Sequence, residues 1–103
     1  MKGKIFSFES RHNSHIIWRC PYHAFLAVVS RMSVSGAELI FVSAESEFEE
    51  VRLQYCFRIN GRVCKVSVMT KDKGIFSIKN FFMASEFFES EINNVFGVKF
   101  AKN

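Results

Sequence analysis

Proline is almost absent from this chain, cysteines are few and long apolar runs are lacking. Its 103 residues contain one proline and five glycines. That is too few for a linker-rich or disordered polypeptide and fits a single packed domain over residues 1–103. The longest unbroken apolar run, Ala24 to Val29, is far too short to span a bilayer. Met1 to Ser10 has no apolar core followed by a small-residue cleavage site. These absences predict a soluble, cytoplasmic chain that meets a membrane only through a partner. The three cysteines are an odd number, which gives no disulfide framework and fits a reducing compartment. They also fall short of the four thiolates of an ordinary iron–sulfur site. There is no glycine-rich phosphate loop and no Ser or Cys in a nucleophile elbow. An enzyme acting alone, with its own cofactor, is therefore not expected.

Phenylalanine is abundant instead, with thirteen residues in a chain that is 49% hydrophobic. Two readings stay open: a Phe-rich core, or a surplus that lines a contact with another protein. The formal net charge is +4, which raises nucleic-acid binding. The positive residues are scattered, however, as Lys2 and Lys4, Arg58 and Arg62, Lys71 and Lys73, Lys99 and Lys102. No basic run forms, and no Lys/Arg-Gly-Phe stacking strand is present. Acidic residues gather in Glu45 to Glu50 and in Glu86 to Glu91. A mildly basic, solvated surface accounts for this scatter.

Along the chain, Ile5 to Phe8 and His15 to Arg19 read as short strands. Pro21 opens a helix whose stripe is Tyr22, Phe25, Leu26, Val29 and Met32, with Gly36 as its exit. Leu39 to Ser43 reads as a strand and Glu45 to Glu50 as an acidic connector. Val51 to Ile59 and Arg62 to Met69 alternate strictly around Asn60-Gly61, the preferred two-residue type I′ turn. That register opposes Ile59 to Arg62, Phe57 to Cys64, Tyr55 to Val66 and Leu53 to Val68. Val51, Leu53, Tyr55, Phe57, Cys64, Val66 and Val68 then share a core face. Arg52, Gln54, Cys56, Arg58, Lys65 and Ser67 share the polar one. A polar turn over Thr70 to Gly74 and a strand over Ile75 to Ile78 lead into a last helix. The order predicts an α+β two-layer sandwich, a mostly antiparallel sheet with two helices on one face.

Few residues invite chemistry. Cys20 and His23 have the C-x-x-H spacing of half a zinc site, but Cys56 and Cys64 fall on opposite faces of the hairpin and cannot complete it together. Cys64 reads as a small core residue and Cys56 as a surface or interface thiol. His12, His15 and His23 crowd the N-terminal third with no nucleophile beside them. Glu89 and Glu91, two apart on a helix, cannot share one substrate. No catalytic, metal-binding or cofactor-binding residue is assigned.

The organising stretch is Ser77 to Phe100. Ser85 reads as an N-cap, with Glu86 and Glu89 in the first turn at the positive end of the helix dipole. Phe88, Ile92, Val95 and Phe96 make one apolar face, Gly97 supplies a left-handed stop, and the chain leaves extended through Val98 and Phe100. The residue order in this stretch resembles the C-terminal signature of the subunit-C family of respiratory complex I, which includes the matching subunits of membrane-bound, energy-converting [NiFe] hydrogenases. Ser77 and Ile78 match its start, Phe87 its aromatic, Glu89, Glu91 and Ile92 its charged core, and Phe96, Gly97, Val98 and Phe100 its end. Ser90 stands where the family has Arg, and Asn94 where it has Asp. The family's His-Pro and Arg-rich tail is missing because the sequence stops at Asn103.

The resemblance implies a non-catalytic accessory subunit of an oxidoreductase complex, peripheral to the inner face of the cell membrane. It would dock on the large subunit of [NiFe] or quinone-site type and work beside the complex's other subunits in electron transfer. The short length and missing tail favour the hydrogenase-like branch, or a reduced homologue, over a respiratory NADH dehydrogenase. Glu89, Glu91, Phe96, Gly97 and Phe100 become the expected partner-binding set. For the two carboxylates a plainer reading also stands, with Glu89 supporting the helix start and Glu91 solvated. The alternative from another class is a small basic α+β nucleic-acid-binding module using Arg52, Arg58 and Lys65.

Overall fold

Strict alternation on both sides of Asn60-Gly61 commits the middle of the chain to a hairpin, and the rest of the fold is laid around it. The structure, a computed structural model, describes residues 7–12 and 15–102. Its elements are β1 (Ser7–His12), β2 (His15–Arg19), α1 (Phe25–Val34), β3 (Glu38–Glu47), β4 (Glu50–Ile59), β5 (Arg62–Met69), β6 (Gly74–Phe76), α2 (Ser85–Phe96) and β7 (Lys99–Ala101). The main sheet has five strands in the order β1-β2-β5-β4-β3. All its pairs are antiparallel except β2 with β5, which run parallel. β6 and β7 form a separate parallel pair. The expected α+β architecture with a mostly antiparallel sheet is the one observed.

The β4–β5 register agrees with the alternation residue for residue, from Ile59 opposite Arg62 to Leu53 opposite Val68. Asn60 and Gly61 both have positive φ, 52° and 76°, the signature of a type I′ turn. Val51, Leu53, Tyr55, Phe57, Cys64, Val66 and Val68 are all buried. Phe25, Val28, Val29 and Met32 of α1 and Ile92 of α2 join them in one core. Phe25 stacks at 5.0 Å on Tyr55, and Phe82, in the turn before α2, at 5.0 Å on Phe57.

Tyr55 sits at the centre of this core and is fully buried, yet its hydroxyl has no hydrogen-bond partner. Burial, aided by the charge of Glu89, holds its pKa well above the ordinary 10.

Several local expectations are corrected. Pro21 precedes a 3-10 turn, Tyr22–Ala24, and α1 starts only at Phe25. Tyr22 points outward instead of joining the stripe. The stretch 45–50 is not a connector: β3 runs on to Glu47, and Phe48-Glu49 is a two-residue loop into β4. Phe48 has φ +58°, a left-handed conformation that costs a bulky L-residue about 1–3 kcal/mol. The strand expected over 75–78 is shorter and lies outside the main sheet. Its Ile75 pairs with Phe100 of β7. Ile5 and Phe6, the first half of the expected strand at 5–8, lie outside the described residues.

Cys56 is buried rather than a surface thiol, at 3% exposure. It faces away from the core, but its cross-strand neighbours on that side are Phe41 and Lys65, whose long side chains can cover a short one.

One carboxylate fixes the corner where β3, β4 and β5 end. Glu50 accepts the Thr70 hydroxyl at 2.7 Å, the Lys73 N–H at 2.8 Å and the Asp72 N–H at 2.9 Å. Thr70 Oγ1 in turn accepts the Val51 N–H at 2.9 Å. Asp72 and Lys73 both have positive φ, so this side chain pins a turn that would otherwise be unfavourable.

Candidate functional site

The segment from β6 to β7 is organised by Glu89. Ser77 is buried, and its N–H donates to Ala101 O at 2.7 Å, fastening the start of the segment to its end. Glu89 is 6% exposed and faces back to the same point. Its Oε1 accepts the Ser77 hydroxyl at 2.7 Å, and its Oε2 accepts the Ile78 N–H at 2.9 Å and the Ser85 hydroxyl at 3.3 Å. Three donors on a buried carboxylate offset its loss of water.

Ser85 is thus not the N-cap. It is the first residue of α2, fully buried, and Ala84 precedes it without a side-chain cap. At the other end Gly97 adopts φ +75° and its N–H donates to Asn93 O at 2.9 Å. The Asn93 amide reaches the Val98 carbonyl at 2.8 Å, so the chain turns back as β7. Nothing lies within 4 Å of where a Gly97 Cβ would stand. That glycine is there for its backbone conformation.

Between α2 and β7 lies an open groove of about 280 Å³. Glu86, Glu89, Ser90 and Asn93 form its helix side, Phe100 and Lys102 its strand side, and Ser77 and Lys79 one end. It continues past Asn80 into a hollow of about 390 Å³ that shares Ser77, Lys79 and Lys102. Glu89 is at its floor and Phe100 on its wall. Phe100 and Phe96 are each half-buried against the core.

The outward side of α2 carries what the sequence reading missed. Phe87, Glu91 and Val95 follow one another at i, i+4 and i+8 and are all exposed, Phe87 at 65% and Val95 at 71%. Met83, 81% exposed, extends the same line before the helix. The periodicity places Val95 inside with Phe88, Ile92 and Phe96, but the structure exposes it; of the four only Ile92 is buried, and Phe88 and Phe96 are partly covered. Phe87 braces Phe88 edge-on, with ring centroids 5.5 Å apart.

The expected partner-binding residues therefore divide. Glu91 is exposed; Phe96 and Phe100 are both half-buried, Phe100 with one side on the groove; Glu89 and Gly97 act on the segment's shape.

The basic sheet face has less free charge than its sequence implies. Arg52 is tied to Glu47 at 2.9 Å and to the Ser67 hydroxyl at 3.0 Å, and Arg58 meets Glu38 at 3.1 Å. Among the described residues no three His, Cys, Asp or Glu side chains converge in a way that would hold a metal ion. The Cys20 thiol donates to its neighbour's carbonyl, Pro21 O, at 3.4 Å. No helix among them is long and apolar enough to cross a membrane.

The chain thus presents a two-layer α+β domain whose closing strand–helix–glycine–strand unit bears a groove and an exposed apolar line. The same fold occurs in a chain of the membrane-bound sulfane sulfur reductase MBS, an archaeal respiratory membrane complex. The TM-score is 0.86 at 19% identity, over 99% of this chain and 65% of that one. It occurs again in the trypsin-resistant fragment (1–134) of Nqo5, with a TM-score of 0.81 at 14% identity over 92% of this chain and 85% of that one. This chain therefore spans about two thirds of the length of the MBS chain. No family model and no curated protein matches the sequence.

Proposed function

We propose that this chain is a non-catalytic accessory subunit of a membrane-associated complex of complex I-like or energy-converting hydrogenase type. It docks on the large subunit at the inner face of the membrane, and the redox centres lie in other chains. The observation that carries this reading is the exposed line of Met83, Phe87 and Val95 on the outer side of α2. A 103-residue domain with a complete core gains nothing for its own stability from three large apolar side chains in water. Set beside Glu91, they fit an interface in which apolar anchors are ringed by charge. The fold shared with a chain of a respiratory membrane complex supports the same reading.

The residues take distinct parts in it. Phe87, Val95 and Glu91 meet the partner directly, and Phe100 offers it the wall of the groove. Glu89, Phe96 and Gly97 hold these in place. Ser90, on the helix side of the groove, leaves open the volume that an arginine would fill, which gives a partner side chain room to enter.

The test is purification of the tagged chain from its own host in mild detergent, with mass spectrometry of what accompanies it. A [NiFe]-type or quinone-site large subunit should be recovered and should be lost from the Phe87→Ser/Val95→Ser variant while that variant stays folded. Recovery of the bare chain, or of nucleic acid, would overturn the reading.

A further inference from the structure

Two costs coincide at Phe48. Its side chain is 100% exposed, and its backbone holds φ +58°, where a bulky L side chain is rarely found. Positive φ at the first loop residue alone is the sign pattern of a type II′ hairpin turn, the position that glycine favours. Glycine there would remove both the strain and the exposed ring.

The mount beneath the ring is rigid. Glu47, just before the loop, takes Nε and an Nη of Arg52, each at 2.9 Å. Glu50, just after it, grips Thr70, Asp72 and Lys73. An aromatic ring held out on a base that does not yield is preorganised for binding, because little freedom is left to lose. Single aromatic anchors of this kind dominate many interfaces.

The surroundings say what kind of surface the ring meets. Glu45, Glu47, Glu49 and Glu50 flank it, and Glu45 and Glu49 are exposed. Arg52, paired to Glu47, and the exposed Lys71 and Lys73 beside Glu50 offset part of this charge, but with Asp72 the acids still outnumber the bases and the flank is net acidic. Such a flank is repelled by an anionic lipid leaflet and by a phosphate backbone. We infer that Phe48 is an anchor seated in an apolar pocket, rimmed by Lys or Arg, on another protein subunit. No residue of this loop lines the groove or the outer side of α2, so this contact is separate from the one above. It rests on the subunit reading for the partner's identity only.

The test is photo-crosslinking in the native host with p-benzoyl-phenylalanine placed at position 48 or, in a separate strain, at position 87. From position 48 we expect one major adduct, to a peptide whose apolar residues are flanked by Lys or Arg. Adducts to lipid or nucleic acid alone, or none, overturn the inference. Position 87 reports on the subunit reading by itself. Capture of a membrane-complex chain from 87 with nothing from 48 would leave that reading standing and sink this one. Capture from 48 of a basic-rimmed pocket in a protein outside any such complex would do the reverse. In addition, Phe48→Gly should raise the thermal midpoint of the free chain while lowering recovered partner about tenfold or more. Unchanged recovery would also overturn the inference.

Discussion

The backbone N–H of Ile78 and the carboxylate of Glu89, eleven residues apart, meet at 2.9 Å. With the Ser77 and Ser85 hydroxyls on the same carboxylate, this contact clasps the β6–α2 turn to its own helix. Glu89→Ala would leave a buried N–H and two hydroxyls unpaired, and charged hydrogen bonds of this kind contribute about 1.5–3 kcal/mol each at most. We expect a loss of about 2–4 kcal/mol in urea unfolding, since the deleted bonds are not additive. Glu91→Ala, at an exposed position, should change stability by less than about 0.5 kcal/mol. Equal effects of the two would refute the clasp.

Tyr55→Phe should be neutral or stabilising by about 1 kcal/mol, although it alters the most buried large side chain. The hydroxyl removed has no partner, so its desolvation is a cost without a return. The ring keeps its contact with Phe25. A fall in denaturation midpoint large enough to mean more than about 1 kcal/mol would show that the hydroxyl is satisfied in solution, for instance by an enclosed water.

Glu50 makes stability depend on acid. The Thr70 hydroxyl above all, then the N–H groups of Lys73 and Asp72, hold its pKa below the ordinary 4.5. A lowered carboxylate stabilises fully above its unfolded value and loses that contribution as pH falls through the folded one. Wild type should therefore be more stable than Glu50→Gln at pH 7, and the gap should close as pH drops below 4.5. A gap that does not change with pH would mean that shape, not charge, matters at this corner.

The thiols should be slow to react. Burial pushes Cys20 and Cys64 to about 11, and raises Cys56 as well despite Lys65 and Arg58 nearby. Thiolate is the reactive form, and all three side chains are at most 6% exposed. A disulfide-exchange reagent at pH 8 should label the native chain only at the rate of unfolding. Fast labelling of one cysteine in native buffer would contradict its placement.

The hairpin was legible in the sequence because its signals are local: alternation and an Asn-Gly turn fix register, faces and core together. The neighbouring β3–β4 turn was not, because Phe48-Glu49 carries none of the residues that mark a turn, and six mostly acidic residues read naturally as loop. Ser85 was misplaced for a different reason. A serine ahead of two glutamates is the common sign of a cap, but Glu89, one turn further along the same helix, takes that hydroxyl and is itself held inward by its longer-range contacts with Ser77 and Ile78. Glu89 and Phe100 were both in the expected partner-binding set of five, but neither the groove they line nor the direction of the helix was legible. Val95 and Phe87 could be assigned a side only once Gly97 and the β6–β7 pairing had set the rotation of α2 about its axis.

The parallel pairing of β2 with β5 has a consequence in time. The β4–β5 hairpin closes over two residues and can form in microseconds, whereas β2 must wait until α1, β3 and β4 have been threaded between it and its neighbour. The N-terminal strands are then the last to join the sheet. Pulsed hydrogen exchange during refolding should show amides of β4 and β5 protected before those of β2, and simultaneous protection would refute the sequence. Until β2 arrives, β5 offers a bare edge, and a newly made chain is most exposed to mispairing at that stage.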